Sequence, residues 1–168
     1  MTNYLDKIPE QSKDYIKSLV VLNNIKIFLK KNRKTKYGDF TVKPNGQKLI
    51  TINSDLNISI SHSKFMAAIV FSEHNLAGID IEHKQNKIIR IKNKFLNDSE
   101  KLENEYQYNV DNLTMMWTAK ESIYKALGIK GVSFYDNIII KNINKNKSHG
   151  YFINGKEKHK FDLKFFSI

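Results

Sequence analysis

Between Lys13 and Lys31, apolar residues recur at steps of three and four: Tyr15, Ile16, Leu19, Val20, Leu22, Ile25, Phe28 and Leu29. That spacing predicts an amphipathic helix. It ends in a basic cluster (Lys30, Lys31, Arg33, Lys34, Lys36), and Lys43-Pro44-Asn45-Gly46 is a turn signal. From Leu49 the period shortens to two. Ile58 and Ile60 alternate with Ser59 and Ser61, which predicts a strand with one polar face. Ala67–Phe71 predicts a second strand, Ser72–Asn75 a turn, and Leu76–Glu82 a third strand.

The strongest helical pattern runs from about Leu113 to Leu127. Asp111 or Asn112 is placed to cap its start, and Gly128 to close its end. After it, Val132–Ile140 and Gly150–Phe166 read as strands joined by a loop over Asn142–His149. A helix, strands, a helix and strands again predict an α+β fold in a single domain over 1–168.

Composition narrows the classes of function. Apolar residues make up 40% of the 168 positions, enough for a proper core, and no run approaches a bilayer span. With no cysteine, disulfides and thiolate metal sites are excluded. Met1–Asp6 shows no charged-then-apolar leader, so the expected location is cytoplasmic, with no membrane partner. The net charge of +11 points to an anionic partner, or else to a merely solvated basic surface.

Three clusters carry candidate chemistry. In Gly78-Ile79-Asp80-Ile81-Glu82, strand alternation puts Asp80 and Glu82 on one face, about 7 Å apart at roughly 3.3 Å per residue. A cation between them would relieve their repulsion; alone, the pattern reads sooner as a solvent-facing edge strand. In Trp117-Thr118-Ala119-Lys120-Glu121-Ser122-Ile123-Tyr124-Lys125, Lys120 interrupts the apolar stripe of Leu113, Met116, Trp117, Ile123, Tyr124 and Leu127. A lysine there must snorkel to water or meet an anion. Glu121 and Lys125, four apart, are neighbours, and their ordinary reading is a surface ion pair. The third cluster, Ser61-His62-Ser63-Lys64, combines hydroxyls, an imidazole and an ammonium at a strand end, a plausible phosphate cradle.

In that order and spacing the three clusters resemble the 4'-phosphopantetheinyl transferase superfamily, over about Leu56–Phe134. The resemblance is to the longer, surfactin-synthetase-activating type. It implies two similar α/β halves related by a pseudo-twofold, about 1–77 and 78–168, with coenzyme A in the cleft between them. It further implies Asp80, Glu82 and Glu121 as ligands of Mg2+, and Ser61, His62, Lys120 and Lys125 as coenzyme A contacts. Glu121, directly or through a water on the metal, would be the general base, with Lys125 beside it in the catalytic set. The implied reaction moves phosphopantetheine onto a serine of an acyl or peptidyl carrier protein and releases 3',5'-ADP. The family's glycine-lysine-proline is replaced here by Asn45-Gly46-Gln47-Lys48, where Lys48 or Lys43 stands in for the family lysine. Two other readings compete: an inactive relative that binds coenzyme A or carrier protein, and a basic nucleic-acid-binding domain. The intact Asp80, Glu82, Glu121, Lys120 and Lys125 favour the enzyme, with no nucleic-acid partner.

Overall fold

The computed structural model describes residues 40–41, 49–51, 57–63, 66–72, 75–103, 109–143 and 148–167. The helix expected over Lys13–Lys31, its basic cluster, the Pro44–Gly46 turn, Lys48 and Lys64 lie outside these residues.

Strands β1 (Phe40–Thr41), β2 (Leu49–Thr51), β3 (Asn57–His62) and β4 (Ala67–Ser72) form an antiparallel sheet in chain order. The β3–β4 hairpin pairs Asn57 with Ser72 through to His62 with Ala67, and the Ser63 amide donates to the Met66 carbonyl at its turn. The polar face of β3 is not turned to water: Ser59 and Ser61 are both buried. Leu76–Glu82, expected as a third strand, pairs with no strand among the described residues. β2 pairs with β3 only at Asn57 and Ile58, and beyond that pairing the segment bonds to β3 through the hydroxyls of Ser59 and Ser61.

A short helix α1 (Lys87–Ile91) and a 3-10 turn (Lys92–Lys94) lead to α2 (Asp98–Glu103) and the long α3 (Val110–Leu127). The start of α2 is a reciprocal cap. The Glu100 amide donates to Asn97 Oδ1 at 2.9 Å, and the Asn97 amide to Glu100 Oε2 at 3.0 Å. Helix α3 begins three residues before the expected start and is capped by Asn109, whose Oδ1 accepts from the Asn112 amide at 2.8 Å; Asp111 and Asn112 are inside the helix. Gly128 closes it as expected, left-handed at φ 62° with its amide on the Tyr124 carbonyl.

The last three strands, β5 (Ile138–Lys141), β6 (Ser148–Asn154) and β7 (Glu157–Leu163), make a second antiparallel sheet in chain order. Val132–Asn137 is a turn rather than the start of a strand, because Ser133, Asp136 and Asn137 bond locally. The Ser133 hydroxyl donates to Asp136, and Asn137 Oδ1 accepts from the Ser133 amide. Gly150–Phe166 is not one strand but most of a hairpin, pairing Asn154 with Glu157. Gly155 has φ 60° while Lys156 stays at negative φ, the signature of a type II' turn.

Helix α3 lays Leu113, Met116, Ala119 and Ile123 against Ile138, Ile140 and Phe152 of this sheet, with Ile88, Phe95 and Leu96 closing the other side. Mixed helices and antiparallel sheets make the fold α+β. Among the described residues no helix is long and apolar enough to cross a membrane.

Candidate functional site

The site is built where the extended segment 78–82 lies between β3 and α3. Two serine hydroxyls fasten it. Ser59 Oγ accepts from the Ile79 amide and Ser61 Oγ from the Ile81 amide, both at 3.1 Å. Residues 59 and 61 share one face of β3, and amides 79 and 81 share one edge of the segment, so the two bonds keep register by their common period of two. On the other side Gly78 rests on α3. A Cβ there would collide with the Ser122 carbonyl oxygen and stand 2.9 Å from the Ala126 nitrogen. Only glycine lets the segment approach this closely.

That approach brings Asp80 to Lys125. The ammonium donates to Asp80 Oδ1 at 2.6 Å and to Ser61 Oγ at 3.1 Å, and Ser61 Oγ donates to the same Oδ1 at 2.9 Å. The Asp80 side chain is 4% exposed. Its second oxygen, Oδ2, is buried and has no hydrogen-bond partner. A bare carboxylate oxygen away from water is costly, of order 1–3 kcal/mol or more, and calls for a cation.

Glu121 stands half-buried nearby. Burial pushes its carboxyl up, as do the negative charges of Asp80 and Glu82, while Lys125 opposes them. Glu82 is exposed and accepts a hydrogen bond from the indole Nε1 of Trp117 at 3.3 Å. Trp117 is itself wedged against Phe95 and Phe134, with ring centroids 5.3 and 5.4 Å away. Glu121 therefore senses the two carboxylates expected to act with it. As placed, no group of three His, Cys, Asp or Glu among the described residues is close enough to hold a metal. The donor chemistry nonetheless fits Mg2+, which prefers oxygen ligands, and Asp80 Oδ2 is a ligand atom without a partner.

Two expected coenzyme contacts have other work. Lys120 is fully buried, and its three N–H bonds go to Glu100 Oε2 at 2.7 Å, the Phe134 carbonyl at 2.8 Å and the Ile138 carbonyl at 2.6 Å. The anion it meets is a core glutamate. Burial pushes Lys120 down and Glu100 up, each countered by the other's opposite charge. The single proton of the Ser61 hydroxyl goes to Asp80. With no proton left to donate, neither is carried forward as a phosphate contact. His62 ends β3, half-buried, one residue beyond Ser61.

Sequence reasoning missed Glu100 and Ser59. The Asn97-x-x-Glu100 spacing signals a helix start, but nothing local reveals that Glu100 is buried. Ser59 showed as part of a polar strand face, without a sign that the face turns inward.

A profile of the 4'-phosphopantetheinyl transferase superfamily matches residues 77–167. No curated protein matches the chain.

Proposed function

Because this chain belongs to the 4'-phosphopantetheinyl transferase superfamily, we propose that it moves the phosphopantetheine of coenzyme A to a carrier-protein serine with the help of Mg2+. The family sets coenzyme A and a carrier protein as partners. The Mg2+ requirement, the surfactin-synthetase-activating type, the single 1–168 domain with its pseudo-twofold halves, the cytoplasmic location and the residue roles below are parts of the proposal. The observation that carries it is Asp80, held by Lys125 and Ser61 with one buried oxygen left bare, beside a Glu121 carboxyl raised by burial and by its acidic neighbours.

Asp80, Glu82 and Glu121 would hold Mg2+, which when bound supplies positive charge against the coenzyme's pyrophosphate. Lys125, one-quarter exposed, offers its ammonium to the same phosphates. His62, and Lys48 from outside the described residues, are assigned to the nucleotide's phosphate. The carrier serine oxygen forms a bond to the β-phosphorus, and the bond from that phosphorus to the bridging oxygen breaks. The electron pair leaves with 3',5'-ADP. Glu121 takes the serine proton, directly or through a water. Trp117 steadies Glu82 through its N–H, and Ser59 and Ser61 keep the acidic segment in register.

Intact mass of an apo carrier protein tests the proposal directly. Incubation with this protein, coenzyme A and Mg2+ is expected to add one phosphopantetheine, and chelation to stop it. No gain with acyl and peptidyl carriers alike at saturating coenzyme would overturn the assignment.

A further inference from the structure

The core holds one ion pair that the proposed chemistry does not use. Glu100 and Lys120 are both at zero exposure. The Glu100 carboxylate accepts from the Lys120 ammonium at 2.7 Å, the Ile140 amide at 2.7 Å and the Asn97 amide at 3.0 Å. Through Lys120 the cluster also reaches the carbonyls of Phe134 and Ile138. One node thus ties the start of α2, the middle of α3, the 132–137 turn and β5.

Stability alone does not explain it. Desolvating two charges offsets most of their attraction, and apolar replacements of buried pairs are often neutral or better. What such a pair adds is direction. The hydrophobic effect that buries the apolar stripe of α3 is non-directional and does not by itself fix the rotation of the helix. An ammonium held by three acceptors at 2.6–2.8 Å does.

Position along the helix supplies the link to the site. At about 100° per residue, Glu121 lies about 100° round from Lys120 and Lys125 about 140° round. The two site residues therefore share the flank that faces Asp80, about 40° apart, while Lys120 points into the core. At about 6 Å from the helix axis, a rotation of about 10° displaces a side-chain end by about 1 Å. An error of that size is enough to cost on the order of 100-fold in rate.

We infer that Glu100 and Lys120 are positioning residues: their buried pair fixes the rotation of α3 and so aims Glu121 and Lys125 at Asp80. The inference rests on the transferase assignment above. It departs from a direct role for Lys120 on coenzyme A, which would show in KM.

Glu100→Gln keeps the shape and one acceptor while removing the charge. In protein shown folded by circular dichroism and a cooperative melt, the pair predicts kcat lower by about 100-fold with KM for coenzyme A within twofold of the unaltered protein. A folded Glu100→Gln protein with unaltered kcat overturns the inference. So does a Lys120→Met protein whose loss lies in KM for coenzyme A with kcat kept. Should neither variant fold, nitrogen-15 lysine spectra of the unaltered protein decide. A buried ammonium with three acceptors is expected to give one exchange-protected signal that coenzyme A leaves in place, and its displacement by coenzyme A would sink the claim. The spectra need no turnover. Failure of the unaltered protein to transfer is therefore distinguishable, since it strikes the transferase assignment and leaves the signal as expected.

Discussion

Gly78→Ala is the smallest change that attacks the site through its packing alone. The added methyl meets backbone on α3: the Ser122 carbonyl oxygen at overlap distance and the Ala126 nitrogen at 2.9 Å. Neither is the end of a flexible side chain, so the helix and the segment must part by about 1.5 Å to reach ordinary contact. Overpacking of this kind costs about 1–3 kcal/mol. For a chain of this length each kcal/mol lowers the melting midpoint by about 2–4 °C, so a fall of about 2–12 °C is expected. The same separation pulls Asp80 from Lys125, whose 2.6 Å bond crosses the gap. The transfer rate is therefore expected to drop by about 100-fold at 25 °C, where the protein is still folded. The assays are a thermal melt and carrier modification followed by intact mass, on matched protein. Gly78→Ala with unaltered midpoint and rate would refute the close approach, and with it the placement of Asp80. A lowered midpoint with unaltered rate would show that the contact is real but does not govern the chemistry.

Four further outcomes are expected. Ser61→Ala strips a partner from the Ile81 amide and from Asp80 Oδ1, so a loss of about 1–3 kcal/mol in denaturant unfolding is predicted; no loss would mean water replaces the hydroxyl. Mg2+ at a hundred times its Kd should add about 2.7 kcal/mol, read as a higher midpoint, and Asp80→Ala should abolish both that gain and transfer. Trp117, the only tryptophan, bonds Glu82, so its fluorescence should respond to Mg2+ and fall silent to it in Glu82→Ala. With a net charge of +11 the KM for an acidic carrier protein should rise between low and 0.3 M salt, since exposed pairs are screened within about 10 Å at 0.1 M; a flat KM would indicate an apolar docking surface.

What the chain announced in advance was local. The steps of three and four through Leu113–Leu127 and the closing Gly128 are properties of one helix, and the structure keeps them. The carboxylate pattern Asp80-x-Glu82 and the pair Glu121/Lys125 were visible because each lies within one element. What was illegible depends on two elements meeting. Lys120 showed as an anomaly in an apolar stripe, but the identity of its anion required knowing that residue 100 packs beneath residue 120. Ser59 and Ser61 showed only as one polar face, because alternation says which residues share a side, never which side is wet. The Val132–Asn137 error has a different source: aromatic and β-branched residues suggested a strand, and the side-chain bonds of Ser133 and Asn137 won locally.

The fastening of the acidic segment has a consequence for how such a site can change. A strand held by neighbouring carbonyls is bound by groups that every residue carries, so no substitution of a side chain removes its bonds. Here the grip on Ile79 and Ile81 belongs to two hydroxyls on β3. It can be loosened one step at a time: a change at Ser59 releases the Ile79 amide, whereas one at Ser61 also takes a partner from Asp80. Through Ser59, mutation and selection can thus tune how firmly the acidic segment is seated separately from what it carries.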